Sequence, residues 1–147
     1  MFCRYMFVDD VHRPPPSKVP DAGKVFDPSW DQIEAALSRL DGMNIRAVIL
    51  SETAPDDSTG WPVGGKGLII GGGGDKLYIC KFVTEGDDHV MYLTQEEYAN
   101  SDPQEIMCGQ PITVDGELTI DLDTLLRATY KFATTGERTG HWKEMDE

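Results

Sequence analysis

"LIIGGGGDKLYICKFV" (68–83) decides the fold. Two runs of aliphatic, β-branched and aromatic residues flank four consecutive glycines, Gly71 to Gly74. Glycine permits positive φ, a bulge or the close approach of other backbone. The stretch therefore reads as a strand, a wide glycine connection between Ile70 and Lys76, and a second strand over 76–84. The segment just upstream, "GWPVGGKG" (60–67), offers a competing reading. Gly60, Gly65 and Lys66 match much of a phosphate-binding loop, G-x-x-x-x-G-K. Such a loop needs a buried strand before it, a hydroxyl residue after the lysine and a helix N-terminus beyond. Here the acidic "APDDST" precedes, Gly67 replaces the hydroxyl and the strand "LII" follows. The dinucleotide fingerprint fails in the same way, because no helix follows Gly74. The glycines serve shape.

Further strands gather around this unit. "IRAVILSE" (45–52) is β-rich, and "HVMYLT" (89–94) follows the turn signal "EGDD" (85–88), so 67–94 reads as an antiparallel meander. "PITVDGELTI" (111–120) reads as a short hairpin turning at Asp115-Gly116. "QEEYANSDPQEIMCG" (95–109) is polar and reads as irregular, with one helical turn.

Two helices stand out. In "DPSWDQIEAALSRLDG" (27–42), Asp27 is placed to cap, Pro28 suits the first turn and Gly42 can supply the left-handed stop. Trp30, Ile33, Leu37 and Leu40 make one apolar stripe, and Trp30 is assigned to the core. "DLDTLLRATYKFATTG" (121–136) is the second, with Leu122, Leu125, Leu126, Thr129 and Ala133 on one face and Gly136 at the stop. Residues 1–8 read as a strand or an ordered arm. "RPPPSKVPDAG" (13–23) cannot be regular structure, since proline fixes φ and removes donors; it reads as a spacer or a Pro-rich ligand motif.

At 147 residues one domain suffices. Residues 1–26 read as an N-terminal arm and Pro-rich linker, and 27–147 as a single domain. The fold expected is α+β: an antiparallel sheet of about four to six strands with both helices packed on one face.

Charge is the loudest bulk signal. Thirteen Lys and Arg against 26 Asp and Glu give a formal −13. Such a field repels nucleic acid and anionic membranes, and it attracts basic partners. Acidic pairs recur at Asp9-Asp10, Asp56-Asp57, Asp87-Asp88 and Glu96-Glu97. A glycosidase-like carboxylate pair needs a set separation across a cleft, which spacing in sequence does not show. Solvated faces, or a patch for a basic partner, account for these pairs more simply. His12, His89 and His141 have no metal-binding spacing, and Cys3, Cys80 and Cys108 form neither a C-x-x-C nor an even disulfide set. Cys80 reads as a small buried hydrophobe. No serine elbow is present. No catalytic residue, cofactor or metal is therefore expected. The N-terminus lacks a long apolar run, so no signal peptide or membrane span is expected and the cytoplasm is the default.

A particular order of features now matters: "WDQIEAAL" (30–37), the strand–glycine–strand unit from Leu68 to Phe82, and the closing "KFATTGERTGHWKEM" (131–145) with Phe132, Gly136, Arg138 and Trp142. This combination, over residues 28–147, resembles the immunity proteins of bacterial polymorphic toxin systems. The likeness is to the first-numbered immunity family, commonly encoded beside deaminase toxins that include double-stranded-DNA cytosine deaminases. Thr139 stands where that pattern has proline, and the first 26 residues have no counterpart in it. The resemblance implies a non-enzymatic inhibitor that binds a cognate toxin domain as a monomer in a one-to-one complex and blocks its active site or substrate channel. An acidic module for another basic protein is the alternative, and a small carboxylate enzyme a third. The expected partner-binding residues, on loops and in the tail, are Asp56, Asp57, Trp61, Asp75, Asp87, Asp88 and Trp142. Trp142 also reads as packing the tail onto the sheet.

Overall fold

A computed structural model describes residues 1–15, 17–19, 21–56, 64–84 and 89–146. In chain order the elements are β1 (Tyr5–Asp10), β2 (Lys24–Phe26), α1 (Trp30–Ser38), β3 (Ile45–Ser51), β4 (Lys66–Gly72), β5 (Tyr78–Thr84), β6 (His89–Thr94), β7 (Gln104–Cys108), β8 (Gln110–Val114), α2 (Leu122–Thr135) and β9 (His141–Asp146). Short 3₁₀ turns occupy Glu96–Tyr98 and Gly116–Leu118. The fold is α+β.

Seven strands form one antiparallel sheet in the order β2-β1-β3-β4-β5-β6-β9, and β7-β8 is a separate two-stranded unit. The meander β4-β5-β6 matches the sequence reading. The sheet is wider than four to six strands because both chain ends join it. β1 pairs with β3 from Tyr5↔Ser51 to Asp10↔Ile45, and β2 pairs with β1. The first 26 residues, expected as an arm and linker, thus place β1 inside the sheet. The cause is alternation: Met6 and Phe7 are both buried, one in each of two cores. The tail becomes β9, paired with β6 along its full length.

Alternate residues of the central strands enter different cores. Met6, Val48, Leu50, Leu68, Ile70, Cys80 and Phe82 share a core with Ile33 and Leu37 of α1 and Leu125, Phe132 and Ala133 of α2. Phe7, Ile49, Ile69 and Ile79 belong to a second core with Ile106, Cys108 and Val114 of the β7-β8 hairpin.

The glycine run shows why shape governs it. Gly71 lies under the hairpin, where a Cβ would stand 2.5 Å from the Met107 carbonyl and 2.8 Å from Cys108 Cα. Gly73 has φ +99°, and a Cβ there would overlap the Leu40 carbonyl at the end of the α1 segment. One end of the run admits the hairpin and the other admits the helix.

Several local readings are corrected. Ser29, not Asp27, caps α1: its hydroxyl accepts the Gln32 N–H, and Gln32 Oε1 accepts the Ser29 N–H. Asp27 sits at φ +50° with its carboxylate 2.6 Å from Arg4 Nε. α1 ends at Ser38, and Gly42 falls in a later turn organised by Asp41, whose Oδ1 accepts the N–H groups of Met43, Asn44 and Ile45. Trp30 does pack against the first core, half-buried and edge-to-face on Tyr130 at 5.0 Å. The hairpin expected over 111–120 turns elsewhere. Residues 104–108, expected to be irregular, are β7, which pairs with β8 across Gly109 at φ +76°. Asp115-Gly116 opens a 3₁₀ turn, and Ile120 then bridges Tyr78 through two backbone hydrogen bonds of 2.8 and 2.9 Å. α2 follows its sequence reading, capped by Asp121 and stopped by Gly136 at φ +77°.

Candidate protein-binding surfaces

Of the expected contact residues, Asp57, Trp61, Asp87 and Asp88 lie outside the described residues. Of the other three, Asp75 and Asp56 sit at opposite ends of the sheet. Asp75 is exposed on the β4–β5 turn, at the sheet end formed by Gly72 and Tyr78. Asp56 follows β3, at the end formed by Ser51, Lys66 and Thr84, and is half-buried. Trp142 lies on the edge strand β9.

Asp75 gains company instead from the hairpin. It lines a shallow cleft of about 130 Å³ with Gly42, Gly74, Glu105, Met107 and Pro111. Glu105 belongs to a longer acidic segment. Residues 95–126 hold Glu96, Glu97, Asp102, Glu105, Asp115, Glu117, Asp121 and Asp123 and no Lys or Arg. Six of these eight are exposed; Glu117 and Asp121 are half-buried. Their scaffold is rigid for identifiable reasons. Ile106, Cys108 and Val114 anchor the hairpin in the second core. Gln95 ties the 96–98 turn to the start of α2: its Oε1 accepts the Asp121 N–H at 2.9 Å and its Nε2 donates to Asp121 Oδ2 at 3.0 Å. Lys143 of β9 reaches in to pair with Glu117.

Two carboxylates are held below the ordinary range. At Asp121 burial acts to raise the pKa, but the Thr124 N–H, the Gln95 amide, the Thr124 hydroxyl and the charge of Arg127 outweigh it. At Asp41 the N–H groups of Met43 and Ile45 lower it first, joined by Asn44. Reading acidic pairs missed this layer. The available signal was the absence of bases: between Lys81 and Arg127 the chain carries no Lys or Arg.

A second surface has the opposite chemistry. Phe2, Phe132, Phe82 and Trp142 form an edge-to-face ladder with centroid spacings of 5.5, 6.3 and 6.2 Å. Gly136 ends α2 beside it, where a Cβ would stand 2.7 Å from the Phe2 ring. The chain then brings Arg138 over the Phe82 face at 4.4 Å, and Lys66 Nζ lies 5.8 Å from the Phe2 centroid. The indole N–H of Trp142 donates to the Thr139 carbonyl at 3.0 Å. Phe132, Arg138 and Trp142, three separate tail positions, thus converge on Phe82 of the strand–glycine–strand unit, while Gly136 packs on Phe2. Trp142 packs on the sheet, yet it remains half-buried along a groove of about 620 Å³ that Lys66, Phe82, Met91, Glu137 and Arg138 also line.

The cysteines offer no reactive thiolate. All three are buried; burial pushes the Cys3 thiol up and, with the neighbouring Cys108, pushes Cys80 up strongly. Among the described residues no group of three or more His, Cys, Asp or Glu could hold a metal ion, and no helix is long and apolar enough to cross a membrane. No protein-family model matches the chain, and no curated protein matches it.

Proposed function

We propose that this chain is an immunity protein that binds a cognate bacterial toxin domain, a nucleic-acid cytosine deaminase, and inhibits it by occluding its basic active-site or substrate-binding surface. The observation that carries the reading is the charge segregation of residues 95–126, eight carboxylates without a Lys or Arg, spread over the β7-β8 hairpin (Glu105), the turns on either side of it and the start of α2. A deaminase holds its nucleic-acid substrate through basic groups on the phosphate backbone. A fixed acidic layer competes for those groups and speeds encounter, while buried anchors set the lifetime of the complex. The resemblance carried by Phe132, Gly136, Arg138 and Trp142 supports the same partner class. In this reading both helices back one face of the sheet and the hairpin side faces the toxin. The protein acts as a cytoplasmic monomer in a one-to-one complex, without catalysis of its own.

The trial is co-expression with the toxin encoded beside it, together with a deamination assay on purified proteins. Cell survival and stoichiometric loss of uracil formation are expected. Undiminished killing and undiminished deamination at saturating protein would overturn the reading and leave an acidic module for another basic partner.

A further inference from the structure

We infer that the groove flanked by Lys66 and Arg138 and floored by Phe82 and Trp142 takes a carboxylate-bearing segment of a partner protein. The inference does not depend on that partner's being a toxin. It goes beyond an acidic surface seeking basic groups, because this groove has the reverse polarity.

The argument begins from charge. Acids outnumber bases two to one, 26 to 13. Several cations are accordingly paired: Arg4 with Asp27, Arg13 and Arg46 with Asp9, Lys131 with Glu137, and Lys143 with Glu117. Lys66 and Arg138 both lie over aromatic rings instead, and neither side-chain cation has a carboxylate partner among the described residues, although Glu52 Oε1 accepts the Lys66 backbone N–H at 2.7 Å. Glu137 lines the same groove, but its carboxylate lies 3.5 Å from Lys131.

Preorganisation makes the pair usable. Stacking on Phe82 fixes the plane of the guanidinium, so less side-chain freedom is lost when its fork meets a carboxylate. One Arg138 Nη lies against the Met91 sulfur, a weaker acceptor than a carboxylate oxygen. The Trp142 N–H is already satisfied by Thr139, so the indole offers apolar contact rather than a donor. About 620 Å³ is room for a short peptide segment, well beyond one small ion. Cations beside an aromatic floor suit an acidic side chain whose neighbours supply apolar contact.

The test uses the full chain, labelled with ¹⁵N, and acetyl-hexaglutamate amide as the probe. Ionic strength is kept near the physiological value, where a Debye length of about 8 Å screens the overall negative charge. The Arg138 Nε–H and Trp142 indole N–H resonances are expected to shift and saturate together. Replacing both cations, Lys66→Gln with Arg138→Gln, should weaken binding by about tenfold or more, the worth of one charge-assisted hydrogen bond. The exposed Lys66→Gln change alone should weaken it about threefold, which guards against a double variant that fails to fold. An uncharged hexaserine peptide should leave both resonances in place, and inorganic phosphate should bind at least about tenfold more weakly than the peptide. The proposal is overturned if the two resonances do not saturate, if the Lys66→Gln protein binds the peptide undiminished, if hexaserine binds equally, or if phosphate matches the peptide. Since no toxin is present, its failure is separable from failure of the immunity reading.

Discussion

The core shared by the helices and the core under the β7-β8 hairpin sit on alternate residues of the same strands, yet they are built for different tasks. In the first core, Ile33 and Leu37 of α1 and Leu125 and Phe132 of α2 join Met6, Leu50, Leu68 and Phe82, all 7% exposed or less. In the second core a shorter element contributes Ile106, Cys108 and Val114, and it carries Glu105 within a chain segment, 95–126, that holds eight acids and no Lys or Arg. Burial is concentrated where the charge is not. The difference teaches that most of the acidic layer is separable: its exposed carboxylates, unlike the α2 cap Asp121 and the Lys143 partner Glu117, can change without touching the residues that hold the sheet together.

The sharpest way to break that comparison is a matched pair of truncations. Phe132→Ala, at the centre of the aromatic ladder, should cost about 3–5 kcal/mol in urea unfolding, and Ile106→Ala about 2–3 kcal/mol because the hairpin can partly collapse into the space. Equal costs would remove the asymmetry. Next comes Gly71→Ala. Its methyl would meet the backbone of Met107 and Cys108, so overpacking of about 1–3 kcal/mol is expected, with faster amide exchange in β7 and β8 and unchanged protection in α2. Loss of protection spread evenly over both sides would show that the two layers do not respond separately.

Smaller effects sharpen local points. Ser29→Ala should cost about 1 kcal/mol and Asp27→Ala under about 0.5 kcal/mol, since the first removes a cap and the second an exposed ion pair. The reverse order would restore Asp27 as the cap. Asp121 predicts a pH effect of fixed sign. Its folded pKa lies below the unfolded value, so its stabilisation is present above about pH 4 and is lost as pH falls through the folded value. Asp121→Asn keeps a capping group and loses the charge. The gap in urea midpoint between wild type and this variant should therefore shrink on acidification; a constant gap would mean the carboxylate is not selectively stabilised.

Legibility in the sequence followed the range of the interactions. α2 was readable because its cap, stripe and stop lie within 121–136. The strand–glycine–strand unit was readable because β4 and β5 are joined directly. Asp27-Pro28 imitated a helix start, and the reciprocal bonds of Ser29 and Gln32 prevailed. Asp115-Gly116 imitated a hairpin turn, but Gly116 is packed against the 101–102 backbone, where a Cβ would stand 2.5 Å from the Asp102 carbonyl. β1 pairs across more than thirty residues of intervening chain with β3, and no local pattern announces such a partner. At the candidate surfaces, Trp142 and Asp75 were legible as individual residues. Their neighbours were not: Glu105 comes to line the same cleft as Asp75, and Arg138 lies over Phe82, only through the sheet's register and the hairpin's docking.

The central claim is that the hairpin-side acids dock on a basic toxin surface. Its most direct test is the association rate with the toxin domain encoded beside this chain, measured at rising salt for wild type and for a protein with Glu96, Glu97, Asp102, Glu105 and Asp115 changed to their amides. The account predicts a wild-type rate that falls steeply with salt, a variant rate at least about tenfold lower at low salt and nearly flat, and an unchanged urea midpoint. Equal rates for the two proteins at every salt concentration, with the complex still forming, would contradict it.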